Sequence, residues 1–122
     1  MTTTTPPGPS CGRGDIALVL FPDSNLRTAK VRPALVVQAD NLQTGLPQVI
    51  VAMITSNLLR SGHPSRVDVV RATLEGQQSG LLADSVVMTD NLATVSQTEI
   101  HRVIGSLPMG EVSEALRHTL GL

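Results

Sequence analysis

The chain has 122 residues, of which 41% are apolar and 16% charged, with a net charge of −1. That length suits one domain with a modest core and is too short for two. No apolar run approaches a membrane span, a single cysteine excludes an internal disulfide, and Phe21 as the sole aromatic nearly removes base stacking as a way to bind nucleic acid.

Residues 1–13 are rich in Thr, Pro and Gly; they have the composition of a flexible tail and lack the basic start and apolar core of a secretory signal, so a cytoplasmic protein is expected. Residues 14–122 are expected to form a single domain. Residues 16–21 read as a first strand, bounded by Pro22-Asp23-Ser24-Asn25, and residues 26–31 as a partly basic loop carrying Arg27 and Lys30. Pro33 biases Arg32 toward an extended backbone, and the β-branched runs at 34–37 and 49–54 are too short for separate helices, so both read as central strands.

Residues 40–47 are rich in turn formers, which favours a hairpin between those two strands. A symmetric hairpin that pairs Ala39 with Gln48 sets Arg32 opposite Thr55, and opposed residues project from one face with Cβ atoms roughly 4.5–5.5 Å apart. A cation and a hydroxyl would then lie within reach of one phosphate, unless a bulge shifts the register. The alternative is a strand-end Arg and Thr kept for solubility and pairing.

Residues 57–65 read as a loop containing Asn57 and His63, and residues 66–71, starting at Arg66, as a half-exposed strand. Residues 76–80 break the pattern. Residues 84–94 read as a long strand with Val86, Met88 and Leu92 on one face and Val87, Thr89, Asn91 and Ala93 on the other. Ser96-Gln97-Thr98-Glu99 has the capping-box pattern before Ile100, Val103 and Ile104, which predicts a short helix ending at Gly105. A terminal amphipathic helix over 108–120 carries Val112, Ala115, Leu116 and Leu120 on one stripe. Five strands in so short a span imply a small barrel.

Residues 1–71 hold seven basic and four acidic side chains, the remainder two and six; a basic patch can therefore exist within a nearly neutral total, although chance scatter gives the same numbers. His63, His101 and His118 show no zinc-ligand spacing and Cys11 has no partner in sequence, so metal-independent chemistry with no cofactor is expected. His101 and His118 read as solvated helix positions. His63 has an unperturbed pKa suited to proton transfer.

Gly14-Asp15-Ile16, the run from Lys30 through Arg32-Pro33 to Val37, Ile54-Thr55-Ser56, Gly80-Leu81 with Asp84-Ser85, Asp90 through Val95, and Ile104-Gly105-Ser106-Leu107 follow one another in an order that resembles the MazF/PemK family of toxin endoribonucleases. The resemblance runs from about Gly14 to the C-terminus. It implies a mainly β, α+β fold: a small SH3-like barrel of the MazF/CcdB kind with a short helix and a C-terminal amphipathic helix. It further implies the toxin of a type II toxin–antitoxin pair, usually a homodimer, which cuts single-stranded RNA at short sequences without a metal and is held by a cognate antitoxin.

On that resemblance the arginine of the family's RP motif is Arg32 and the hydroxyl of its strand-end Thr-Ser motif is Thr55, as the catalytic pair. Arg27, Lys30, Ser56, Asn57, His63 and Arg66 are the expected RNA contacts. The chain differs from many members in having Asn91, Ala93 and Ser96 where Gln, a basic residue and Asp are frequent. A second reading keeps the barrel and removes the chemistry, as a toxin with a protein target such as DNA gyrase or as an inactive toxin homologue, because fold alone does not fix function.

Overall fold

The computed structural model describes residues 10–122; of the tail expected over residues 1–13, residues 1–9 lie outside that range. Arg13, placed at the end of the tail in sequence, is tied into the body. Its backbone N–H donates to Asp40 Oδ1 at 2.9 Å, and its guanidinium donates to the Val37 carbonyl and to Ser113 Oγ.

Six strands form one antiparallel sheet: β1 (Asp15–Pro22), β2 (Ala29–Val36), β3 (Gln48–Thr55), β4 (Arg66–Val69), β5 (Ser85–Ser96) and β6 (Ile100–Ser106), in the spatial order β4-β5-β3-β2-β1-β6. Two helices accompany them, α1 (Leu74–Gln78) and α2 (Gly110–Leu120). The expected mainly β, α+β class is the one found, with the barrel left loose because its end strands β4 and β6 do not pair. The end of α1 and the residue after its cap approach β6 backbone to backbone: a Cβ on Gly105 would overlap the Ser79 carbonyl, and one on Gly80 the Ile104 carbonyl. Gly80 also has φ +73°, a conformation that L side chains rarely adopt.

Strand alternation divides the core in two. Ile16, Leu35, Ala52, Ile54 and Val87 point to one side, where they meet Val112 of α2. Ala17, Val19, Phe21, Ala34, Val36, Val51 and Val95 point to the other. Each Val, Leu, Ile or Phe side chain among them contributes about 1.5–3 kcal/mol by leaving water. Phe21 is 1% exposed, so the only Phe, Tyr or Trp ring is committed to the core and none of that kind remains on the surface for stacking on a base.

Four expectations need correction. Residues 29–31 are strand, not loop, because β2 pairs with β1 as far as Ala29 opposite Pro22. The segment 76–80 is not a plain break; Thr73 Oγ1 accepts from the Gly76 N–H and starts the short α1. The helix expected from Ser96 to Gly105 is a strand. Ser96 Oγ does cap, accepting from the Thr98 N–H, yet the cap closes only one 3-10 turn over Gln97–Glu99 before β6 begins. Ile100 and Val103 then lie against Val19 and Ala17 of β1, so edge pairing outweighs a local cap worth about 1 kcal/mol. His101 is accordingly a strand residue, and exposed, while His118 is an exposed helix residue as expected.

The fourth concerns β5. Its pairing steps from Ala52 opposite Leu92 to Met53 opposite Met88, leaving Thr89, Asp90 and Asn91 without partners on β3. An odd number of extra residues exchanges the faces of a strand. Leu92 therefore joins the side of the core that holds Val87, opposite to the side that Met88 and Met53 face. α2 is as expected except at its end: Val112 and Ala115 are buried and Leu116 half-buried, while Leu120 is exposed.

Candidate active site

The β2–β3 ladder has the register that the symmetric hairpin predicts: Ala34 faces Met53, Leu35 faces Ala52 and Val36 faces Val51. It stops there, two residues short of Arg32. Pro33 has no N–H to donate, and β2 turns away from β3 at that point while still paired with β1, with Arg32 opposite Val19. β3 continues with β5, with Thr55 opposite Val86. The diverging strand ends leave a gap with Arg32 on one bank and Thr55 on the other. Both lie on the alternation that carries Ala34, Val36 and Met53, so they belong to the same face.

That gap opens into a cavity of about 690 Å³ lined by Val31, Arg32, Pro33, Ile54, Thr55 and Ser56, with Leu81, Leu82 and Arg102 across from them. On its other flank Arg32 borders a second cavity of about 460 Å³, with Asp23, Met53, Arg60, Arg66, Met88 and Asn91. Arg32 is the one residue common to both.

Arg32 Nη2 donates to Asp23 Oδ1 at 3.0 Å, and Thr28 Oγ1 donates to the other carboxylate oxygen at 2.7 Å. The Thr28 hydrogen bond, followed by Arg32, holds the Asp23 carboxyl below the usual carboxylate range, with Lys30 adding to the effect. Asp23 is therefore anionic at neutral pH. Among the described residues Arg32 has no other side-chain hydrogen bond, so Nε, Nη1 and one N–H of Nη2 are open. Thr55 Oγ1 accepts from the Asn57 N–H at 3.1 Å, which leaves the hydroxyl proton free to be donated.

The expected RNA contacts divide into those gathered here and those that are not. Ser56 lines the larger cavity beside Thr55, and Arg66 lines the smaller one beside Arg32. Arg66 is heavily engaged: Nε and Nη2 donate to the two Asp90 oxygens at 3.3 and 2.8 Å, and Nη1 donates to the Arg60 carbonyl at 3.2 Å. Its hydrogen bonds are the main cause that lowers the Asp90 pKa. Arg27 and Lys30 are exposed at the β1–β2 hairpin, whose turn Asn25 braces by accepting from the Arg27 and Thr28 N–H groups. Asn57 caps the 3-10 turn Leu58–Arg60 through the Leu59 N–H. His63 lines neither cavity; its Nδ1 accepts from the Ser65 N–H, and its ring centroid lies 6.0 Å from that of His118.

Asp23, Arg60, Asp90, Asn91 and Arg102 were not picked out from sequence as site residues. Asp90 and Asn91 reach the smaller cavity's surroundings through the β5 bulge, and Asn91 Nδ2 donates to Met53 Sδ at 3.4 Å. Among the described residues no three His, Cys, Asp or Glu side chains are grouped to hold a metal ion, and no helix is long and apolar enough to cross a membrane.

Comparison with known proteins adds the lineage. Residues 12–120 match the family described as PemK-like, MazF-like toxin of type II toxin-antitoxin system. Endoribonuclease MazF2 of Mycobacterium bovis is 36% identical over 107 residues, spanning 84% of this chain and 90% of that protein. The Mycobacterium tuberculosis toxin MazF-mt6 superposes with a TM-score of 0.66 at 27% identity, covering 88% of this chain and 97% of its own. A mycobacterial endoribonuclease in complex with its cognate antitoxin gives a TM-score of 0.70 at 22% identity, covering 93% and 97%, a likeness of fold. With a family match across nearly the whole chain and a relative of that identity and coverage, the chain belongs to the PemK-like, MazF-like toxins of type II toxin–antitoxin systems.

Proposed function

We propose that this toxin is a metal-independent endoribonuclease that cuts single-stranded RNA, with Arg32 and Thr55 acting on one phosphodiester. The observation that carries the reading is the gap where β2 leaves β3, flanked on the same face by a guanidinium with open donors and a hydroxyl with a free proton. In the reaction the ribose 2′-oxygen attacks phosphorus, its proton departs, and the bond to the 5′-oxygen breaks as that oxygen gains a proton. The products are a 2′,3′-cyclic phosphate and a 5′-hydroxyl. Arg32 directs two fixed donors and a permanent charge at the phosphorane dianion, where charge develops. Thr55 donates its hydroxyl to a phosphate oxygen and is too weak a base to do more unaided.

Arg27, Lys30, Ser56, Asn57, His63 and Arg66 serve as the wider RNA contact in this reading, and residues 14–122 act as one toxin domain behind an N-terminal tail, in the cytoplasm and as a homodimer. The partner is an antitoxin whose acidic, disordered segment folds over the cationic groove. Structural neighbours solved as complexes support that partner class: a mycobacterial endoribonuclease with its cognate antitoxin and MazE–MazF of Deinococcus radiodurans. Mass spectrometry of the ends left on a cleaved RNA tests the chemistry. Cyclic phosphate with 5′-hydroxyl ends in the presence of EDTA, and no cleavage when the residue before the cut carries 2′-deoxyribose, is the expected result. Cleavage of the deoxy substrate would exclude 2′-OH attack.

A further inference from the structure

Arg102 takes no part in the site as expected from sequence, because the helix expected over Ser96 to Gly105 gave it no fixed relation to Arg32. The strand found there changes its place. Pro33 of β2 lies opposite Leu18 of β1, and Leu18 lies opposite Arg102 of β6. Opposed residues share a face and neighbours along a strand alternate, so Arg102 lies on the face of Pro33 and not on that of Arg32, about 10 Å from Pro33 at a spacing of about 4.8 Å per strand; the two arginines meet as lining of the same cavity at the strand ends. Arg102 is exposed, lines the 690 Å³ cavity, and makes no side-chain hydrogen bond or ion pair among the described residues.

The cavity's lining mixes apolar side chains, Leu18, Val31, Ile54 and the 89% exposed Leu82, with the hydroxyls of Thr55, Ser56 and Ser85. Its volume falls within the range of small-ligand sites, roughly 300–1,000 Å³. Arg32 alone borders both this cavity and the Arg60/Arg66 groove. A strand whose scissile phosphate sits at Arg32 must leave that point in two directions.

Resting on the endoribonuclease reading, we propose that the 690 Å³ cavity is the subsite for the nucleotide on one side of the scissile phosphate, with Arg102 neutralising the next phosphate along the RNA. The Arg60/Arg66 groove takes the other side. The apolar side chains receive a base without a Phe, Tyr or Trp ring to stack on, the hydroxyls meet its polar edge, and Arg102, the cavity's charge without a partner among the described residues, meets the backbone. Complementarity of charge selects an RNA strand over an apolar peptide as the occupant.

The test uses the intact protein and an RNA it cleaves, made uncleavable by one 2′-deoxyribose at the cut. Arg102→Gln should weaken binding about three- to tenfold and make the slope of log affinity against log salt shallower by about 0.7, one phosphate contact on a single strand. Arg102→Lys should restore the slope. With cleavable RNA the loss should appear in KM and be recovered as RNA is raised. Leu82→Asp, at an exposed rim position that can accept a charge without unfolding, should weaken binding further. Unchanged affinity and slope in Arg102→Gln would overturn the subsite. So would a shift in monomer–dimer balance in both variants at unchanged RNA affinity, which would assign the cavity to a second copy of the chain. If wild type cleaves RNA in either case, the endoribonuclease reading stands and only the subsite fails.

Discussion

Two arginines border the same groove, each against an aspartate, and they are built for different work. Arg32 engages one nitrogen, Nη2, on an Asp23 held by a hairpin that is braced by its own Asn25 and Thr28. Arg66 engages all three of its nitrogens, two on Asp90 and one on the Arg60 carbonyl. A guanidinium has five N–H groups in a fixed fork, so Arg32 keeps a full edge for a phosphate, whereas Arg66 spends its directional donors on pinning the β5 bulge. Availability for chemistry follows from the donors left over, since the formal charges are equal.

The largest consequence falls on Arg32. Arg32→Ala should lower single-turnover cleavage about 10²–10³-fold, as loss of a donor aimed at developing charge does, with an unchanged melting temperature. Thr55→Ala should cost about ten- to a hundredfold, the range for one hydrogen bond to a charged group at about 1.5–3 kcal/mol. An unchanged rate in Thr55→Ala would make that residue structural. Arg66→Ala should lower cleavage by less than about tenfold, because exposed ion pairs contribute little, and its chief effect should be faster amide exchange in the bulge at Thr89, Asp90 and Asn91. A loss at Arg66→Ala equal to that at Arg32→Ala would erase the distinction.

The smallest effect is a dependence on acid. Both carboxyls titrate below their unfolded value near 3.8, Asp23 through Thr28 and then Arg32, and Asp90 through Arg66. A depressed folded pKa contributes stability that is fully present above the unfolded value and lost as pH falls through the folded one. Melting temperature should therefore be insensitive to these pairs from pH 7 to 5 and decline below about pH 4. Asp90→Asn should flatten that decline by a small margin, and a decline of equal size in the variant would remove Asp90 from its cause.

The sequence carried the part of the site that depends on local pattern. Turn formers at 40–47 and two short β-branched runs were sufficient to give the register of Ala34 against Met53. Pro33 could be read as favouring extended backbone, yet its second effect, ending the ladder so that Arg32 and Thr55 flank an opening, needs β1 present as the competing partner. The carboxylates are a longer-range matter. Asp90 meets Arg66 because β4 pairs with β5, with Arg66 opposite Met88 and Asp90 two residues beyond it, and nothing in the alternation of either segment marks that pairing. Ser96 to Gly105 misled because its cap is real and short; Ile100, Val103 and Ile104 fit a helical stripe, and only the open edge of β1 decides for a strand.

The direct measurement is the guanidinium spectrum of the labelled protein, with the Nε–H signals of Arg32 and Arg66 followed by NMR as an uncleavable 2′-deoxy-substituted RNA is added. The donor count predicts a large, saturable shift at Arg32 and little change at Arg66, whose Nε–H stays on Asp90. A saturable shift at Arg66 with Arg32 unmoved would contradict the assignment of the scissile phosphate to Arg32.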